Sequence, residues 1–157
     1  MKKIKWKTLL IAIAIPLAVG GISALLTMGS MQYFDLLEKP PLSPPGWLFP
    51  IVWTALFVLM GIASYLIVES DGDTDEKVGA LKFYFIQLIF NLLWSVFFFN
   101  FEKYSFAFVW LLTLLFLIIL TTVRFFRIDK RAALLMIPYI LWGVFAAYLN
   151  LGIAVLN

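Results

Sequence analysis

The sequence predicts an all-α membrane protein, a bundle of five transmembrane helices within residues 1–157. Three observations predict it. The 21 charged residues, 12 Lys and Arg plus 9 Asp and Glu, all lie outside five long apolar runs. Hydrophobic residues make up 64% of the chain and charged ones 13%, about half of the roughly 25% usual in a soluble domain. Within the runs apolar residues are continuous, as in Leu111 to Leu120, which only Thr113 interrupts. Strands of a membrane barrel would alternate polar and apolar instead. Helices and closed barrels are the only structures that satisfy the backbone in lipid, so helices are expected.

The runs are Thr8 to Met28, Gly46 to Val68, Phe83 to Phe101, Tyr104 to Val123 and Ala132 to about Val155 or Asn157. Each approaches or exceeds the ~20 residues a helix needs to cross a hydrocarbon core. Gly20, Gly21 and Ala24 in the first run read as packing positions. A cleaved leader over Met1 to about Leu26 is the competing reading, but its apolar stretch is longer than an ordinary leader core. Between the first two runs Pro40, Pro41, Pro44, Pro45 and Pro50 restrict the backbone to extended or tightly turned forms, as in a preformed cover at one rim. Between the second and third, Glu69 to Lys82 reads as a solvated acidic connector. Five spans in 157 residues leave no room for a second domain.

Lys and Arg fix the expected orientation, because cytoplasmic segments retain them. With the N-terminus inside, Lys2, Lys3, Lys5, Lys7, Lys77, Lys82, Arg124, Arg127, Lys130 and Arg131 are cytoplasmic, and only Lys39 and Lys103 are outside. The C-terminus and the proline-rich first loop are then external to a cell membrane. The same clustering at two membrane edges explains the basic balance without a nucleic-acid partner.

The chain has no Cys and no His. Thiolate and imidazole metal sites, Cys nucleophiles and Ser-His triads are therefore absent, and neither a metal nor a cofactor is expected. The runs also lack the ionisable residues that mark proton relays and ion pathways, and no internal repeat is evident, which disfavours a secondary transporter.

The polar groups that remain at depth are amides and indoles. Gln87 and Asn91 stand one turn apart on the third run, with Trp94, Ser95 and Phe98 on the same face. On the fifth run Pro138, Trp142, Ala146 and Asn150 recur every four residues, so a small residue between larger ones leaves a recess. The second run adds Trp53, Phe57, Met60, Gly61 and Ser64. Amides lose their partners against lipid, so these stripes are expected to face inward, with Gln87 and Asn91 serving either as helix glue or as ligand contacts. Trp53 and Trp142 suggest an aromatic-lined cavity. Trp6, Trp47 and Trp110 are expected at the interface or on lipid-facing surface.

These segments carry a resemblance. Lys39-Pro40, Pro44-Pro45-Gly46-Trp47 and Phe49-Pro50-Ile51-Val52-Trp53-Thr54-Ala55-Leu56-Phe57 resemble the first loop and second helix of the tryptophan-rich sensory protein family, also called the translocator protein or peripheral benzodiazepine receptor family. Gln87-Leu88-Ile89-Phe90-Asn91-Leu92-Leu93-Trp94-Ser95 is similar to its third helix, and Pro138-Tyr139-Ile140-Leu141-Trp142-Gly143-Val144-Phe145-Ala146-Ala147-Tyr148-Leu149-Asn150 to its fifth. The resemblance implies a five-helix fold, usually homodimeric and in contact with membrane lipid, with a pocket between helices near the first loop. It implies ligands such as protoporphyrin IX and haem, and pocket residues Trp53, Gln87, Asn91, Trp142, Ala146 and Ala147. The sequence is thus expected to encode a receptor or carrier for porphyrins and similar flat apolar ligands. Light-dependent degradation of protoporphyrin IX is the alternative, with Trp53 and Trp142 as its catalytic residues. No acid, base or metal ligand lies at depth, so binding is favoured over catalysis. Two positions depart from the family pattern. Leu42 stands where the first loop commonly carries Trp, and Trp110 where the fourth helix often has Asp. The third run, where the resemblance puts the dimer contact, has no Gly or Ala pair, unlike Gly20 with Ala24 and Gly143 with Ala147.

Overall fold

The computed structural model describes residues 2–157. Helix α1 spans Trp6–Thr27 and continues through a tight 3₁₀ turn, Met28–Ser30, into a short α2, Met31–Phe34. Then come α3 (Leu48–Val68), α4 (Thr74–Ser95) closing in a π-helical turn at Val96–Asn100, α5 (Tyr104–Ile128) and α6 (Lys130–Leu156). There is no strand among the described residues. Five of the helical segments are long and apolar enough to cross a membrane: Trp6–Phe34, Leu48–Val68, Thr74–Asn100, Tyr104–Ile128 and Lys130–Leu156. The chain is a multi-pass membrane protein.

Two expected boundaries move. The acidic connector is shorter than its composition suggested, because Thr74–Lys82 already belongs to α4. The side chain of Asp73 accepts from the Glu76 backbone N–H at 3.2 Å, and Asp75 and Glu76 sit in the first turn. A carboxylate cap and acidic residues at the positive end of the helix dipole make the polar stretch a good helix start. In the first loop, residues 28–34 remain helical, so the extended segment begins after Phe34.

The helices form a closed ring in the spatial order α1, α3, α6, α5, α4 and back to α1. Lipid supplies no hydrophobic drive between helices, so small residues that let backbones approach are the main tool of packing. Ala63, Ala80, Ala107 and Ala132 are all fully buried. Gly61 is the tightest case: a Cβ there would lie 2.5 Å from Ile13 Cα and 2.8 Å from Ala12 O, so α1 and α3 touch through backbone. A Cβ on Gly20 would lie 2.6 Å from the Phe57 ring, whereas one on Gly143 would meet Leu115 at an ordinary contact distance of 3.4 Å, so both glycines face packed neighbours within this chain.

The first loop is seated on α6. Glu38 N–H donates to Asn157 Oδ1 at 3.1 Å, and Asn157 Nδ2 donates to Glu38 O at 2.8 Å. Tyr148 OH donates to Pro41 O at 2.6 Å. Pro40 lies so close to Gly152 that a Cβ on the glycine would overlap its ring. Leu42 has φ +70° and points into open space.

At the opposite end Lys2 pairs with Asp71 at 2.7 Å and Lys5 with Glu69 at 3.0 Å, tying the chain before α1 to the turn after α3. The Lys2 hydrogen bond and charge hold the Asp71 carboxyl below its ordinary range. Asp129 caps α6 by accepting from Arg131 N–H at 2.9 Å, and the Arg131 side chain, bonded to it at 2.9 Å, lowers its carboxyl likewise. Pairs of this kind at the surface contribute little, because solvent screens them and both long side chains must be held in place. The ten Lys and Arg assigned to one side by sequence occupy this end, and Lys39 and Lys103 the other.

Candidate functional site

A cavity of about 550 Å³ opens at the end of the bundle under the first loop, between α1, α3, α4 and α6. That size lies within the range of small-molecule sites. The α1 wall is made of small residues, Gly20, Gly21 and Ala24, which leave the space that larger side chains would fill. From α3 comes Trp53, whose ring stacks on Phe57 with centroids 5.6 Å apart and meets the edge of Tyr139 at 6.2 Å. From α6 come Trp142, Ala146 and Asn150, with Trp142 edge-on to Phe49 at 5.9 Å. Phe49 in turn meets Phe34 edge-on at 6.2 Å, so the aromatic surface runs from α6 across to α2.

Asn91, Trp94, Ser95 and Phe98 of α4 form the remaining wall. Their amide and indole groups are held by protein partners. Trp94 Nε1 donates to Asn150 Oδ1 at 3.0 Å, and Asn150 Nδ2 donates to Tyr104 O at 2.9 Å, which closes α4, α5 and α6 around one amide. Asn91 Nδ2 donates to Tyr139 OH at 2.8 Å, and that hydroxyl donates its single hydrogen to Gln87 Oε1 at 2.7 Å. The hydroxyl fixes the direction of both amides, since it accepts from one and donates to the other. Asn91 thereby turns its carbonyl oxygen away from Tyr139. Trp142 Nε1 is buried with no acceptor in reach, a polar group left unpaired beside the cavity.

The structure brings together Trp53, Asn91, Trp142 and Ala146 and leaves out two of the residues named from the sequence. Gln87 is fully buried beyond the cavity, between Tyr139 and Met60 Sδ at 3.9 Å. It shares a face with Asn91, but one turn displaces it ~6 Å along the axis. Ala147 packs against the core beside the cavity, because each residue along α6 turns the helix by ~100° away from Ala146. Pro138 is exposed, so the four-residue stripe on α6 is a cavity face only from Trp142 onward. Trp110 is also not a lipid-facing anchor. It stacks on Phe90 with centroids 4.3 Å apart and donates to the Phe90 carbonyl at 2.9 Å, filling the α4–α5 contact. Trp6 and Trp47 are exposed, as interface positions should be.

Sequence reading missed Phe34 and Lys39 as members of the site, and Tyr139 as the buried residue that orients the Asn91 amide behind it. Tyr139 had a signal: it lies three residues before Trp142, on the same helical face. Phe34 had none, since only the helical continuation past Thr27 brings it to the cavity, whereas Lys39 stood in the Lys39-Pro40 segment of the first loop without being read as a wall residue. Among the described residues, Lys39 is the one ionisable residue on the wall.

Replacing Gln87 with Leu is expected to lower stability by about 1–2 kcal/mol, since the buried Tyr139 hydroxyl keeps its bond from Asn91 but loses the acceptor for its own hydrogen. Affinity per folded molecule should hold, because the cavity wall is untouched. Thermal unfolding in detergent alongside a ligand titration checks both; weakened binding in a variant of native stability would return Gln87 to the ligand.

The chain matches the TspO/MBR family over residues 12–156. It is 38% identical over 151 residues to the tryptophan-rich protein TspO of Chlorobaculum tepidum, covering 96% of each chain. It is 34% identical over 126 residues to the tryptophan-rich sensory protein of Cereibacter sphaeroides, covering 80% of this chain and 77% of that one. With the human translocator protein it shares 35% identity over 121 residues, 76% of this chain and 72% of the relative. A five-span bundle matched to that family along nearly all its length belongs to the TspO/MBR family.

Proposed function

We propose that the protein is a membrane receptor or carrier that binds porphyrins, such as protoporphyrin IX and haem, and similar flat apolar molecules in the cavity under the first loop. One observation carries this reading: the indoles of Trp53 and Trp142 lie on two walls of a single 550 Å³ cavity, with the Asn91 amide on a third. Flat rings gain from aromatic faces in offset or edge-on contact, and a polar group in an otherwise apolar pocket fixes orientation. Ala146 and the α1 glycines keep the space between the indoles free. Gln87 and Ala147 have a supporting part in this reading, behind the wall.

Titrating the purified protein with protoporphyrin IX in darkness tests the proposal; saturable binding is expected, and its absence would leave an assembly role. The same samples under light test the enzymatic alternative. Phe keeps a ring surface but is far harder to oxidise than indole. If indole chemistry consumes the porphyrin, Trp53→Phe and Trp142→Phe must stop the loss while binding persists. Loss that continues unchanged in the double Phe variant is ordinary photobleaching.

The reading includes a cell-membrane location with the N-terminus cytoplasmic and the cavity mouth external. The native chain has no Cys, so the orientation has a clean test. In intact cells, a Cys replacing Ser43 should react with an impermeant thiol reagent and a Cys replacing Asp71 should not. The reverse pattern would turn the molecule over. The homodimer implied by the family would have to pack on the outward face of α4, where Phe85 and Ile89 are exposed, because Asn91 and Ser95 face inward.

A further inference from the structure

We infer that Lys39 is the anion anchor of this cavity, so that its ligand is a flat apolar molecule carrying a carboxylate on the edge that meets the first loop. The inference rests on the cavity being the ligand site proposed above. Among the described residues every other group on the wall is neutral, and most of the surface is aromatic or aliphatic. No carboxylate pairs with Lys39 among the described residues, where the three ion pairs are Lys2 with Asp71, Lys5 with Glu69 and Arg131 with Asp129. Its Nζ has only two long contacts, to Asp35 O at 3.5 Å and Leu37 O at 3.4 Å, and sits 4.8 Å from the centre of the Phe34 ring. An ammonium has three donors to place, and carbonyl contacts of that length satisfy them poorly.

The position of Lys39 is also fixed in a way that a lysine marking only a membrane edge does not need. The residue before it is hydrogen-bonded in both directions to Asn157, and the residue after it is pressed against Gly152. Phe34, over which the ammonium lies, is itself a wall of the cavity. A charge held at an apolar mouth with no counter-ion gains most from an anion that arrives on an apolar body, because charge-assisted hydrogen bonds are about twice as strong as neutral ones. Asn91 is a weaker partner for an acid, since one hydrogen of its Nδ2 already goes to Tyr139 and the other is a neutral donor without the ammonium's charge. The rings therefore settle against Trp53 and Trp142 while the acid stays at the mouth.

The test compares protoporphyrin IX with its dimethyl ester, which keeps the ring and removes both charges, titrated in darkness into the native chain, K39M, K39R and the Trp53→Ala, Trp142→Ala double variant. K39M should weaken the diacid by about tenfold or more, as expected for loss of a hydrogen bond to a charged group. The ester should change several-fold less than the diacid, because its carbonyls carry no charge for the ammonium to pair with. K39R should restore most of the diacid affinity. Equal weakening of acid and ester in K39M, as from a disturbed loop or a lysine that serves a lipid headgroup, overturns the anchor. So does no weakening of either. Failure of the underlying site looks different: the native chain binds neither porphyrin saturably, or the double tryptophan variant binds both as the native chain does.

Discussion

Gly61→Ala is expected to destabilise the protein by about 2 kcal/mol or more, an overpacking cost large enough to outweigh the ~1 kcal/mol that alanine gains over glycine within a helix. The new methyl group would lie 2.5 Å from Ile13 Cα and 2.8 Å from Ala12 O. Both are backbone atoms of α1, so no side chain can rotate aside and the two helices must separate. Gly21→Ala is the matched control. A Cβ there meets nothing within 4 Å, so this variant should be neutral or slightly more stable. Thermal midpoints of the two variants in one detergent make the comparison. The consequence for function is direct, because α1 supplies the small-residue wall of the cavity and its seat on α3 is the Gly61 contact. A Gly61→Ala chain that unfolds like the native one would mean that α1 is not held where it closes the site.

The second large effect is on binding. Removing both indoles, Trp53→Ala with Trp142→Ala, should weaken porphyrin by roughly 1–3 kcal/mol from lost aromatic contact alone, about one to two orders of magnitude in affinity. Each single Phe variant should retain most of it. Trp53 is braced by Phe57 and Tyr139, and Trp142 by Phe49 and Phe145, so the neighbours stay in place when either indole is shortened. Fluorescence titration in darkness measures the change. An affinity that falls no further in the double Ala variant than in the double Phe variant would mean that ring contact contributes little and that the indoles serve folding.

The five spans were legible in the sequence because charge exclusion and run length report directly on the solvent, and the bilayer is the solvent. The aromatic cavity was legible through the inward stripes on α3, α4 and α6. Depth along a stripe was not. Gln87 and Asn91 share a face, yet only Asn91 reaches the cavity, since facing inward does not say whether an amide meets a space or another side chain. Tyr139 decides that outcome. Thr74–Lys82 misled for another reason: acidic residues lower apolarity but favour a helix start behind the Asp73 cap. Trp110 misled because an indole in an apolar run can satisfy its N–H on a neighbouring carbonyl, here that of Phe90. Lys39 was counted as a topology signal and as part of a matching segment but not as a wall residue, because nothing local tells that Pro40 and Asn157 would fix its backbone at the cavity mouth.

The central claim is that the ligand occupies the space under the first loop, and adjacent positions on α1 test it. Ala24 lines the cavity, whereas Leu25 is 71% exposed on the outer surface. With no native cysteine, a single Cys at either position can be labelled with a small thiol reagent and the rate followed with and without protoporphyrin IX in darkness. The account predicts that saturating porphyrin slows labelling of Ala24→Cys by about tenfold or more, as for near-complete occupancy of a site, and leaves Leu25→Cys unchanged. Equal rates at Ala24→Cys with and without porphyrin, under conditions where the porphyrin is bound, would contradict it.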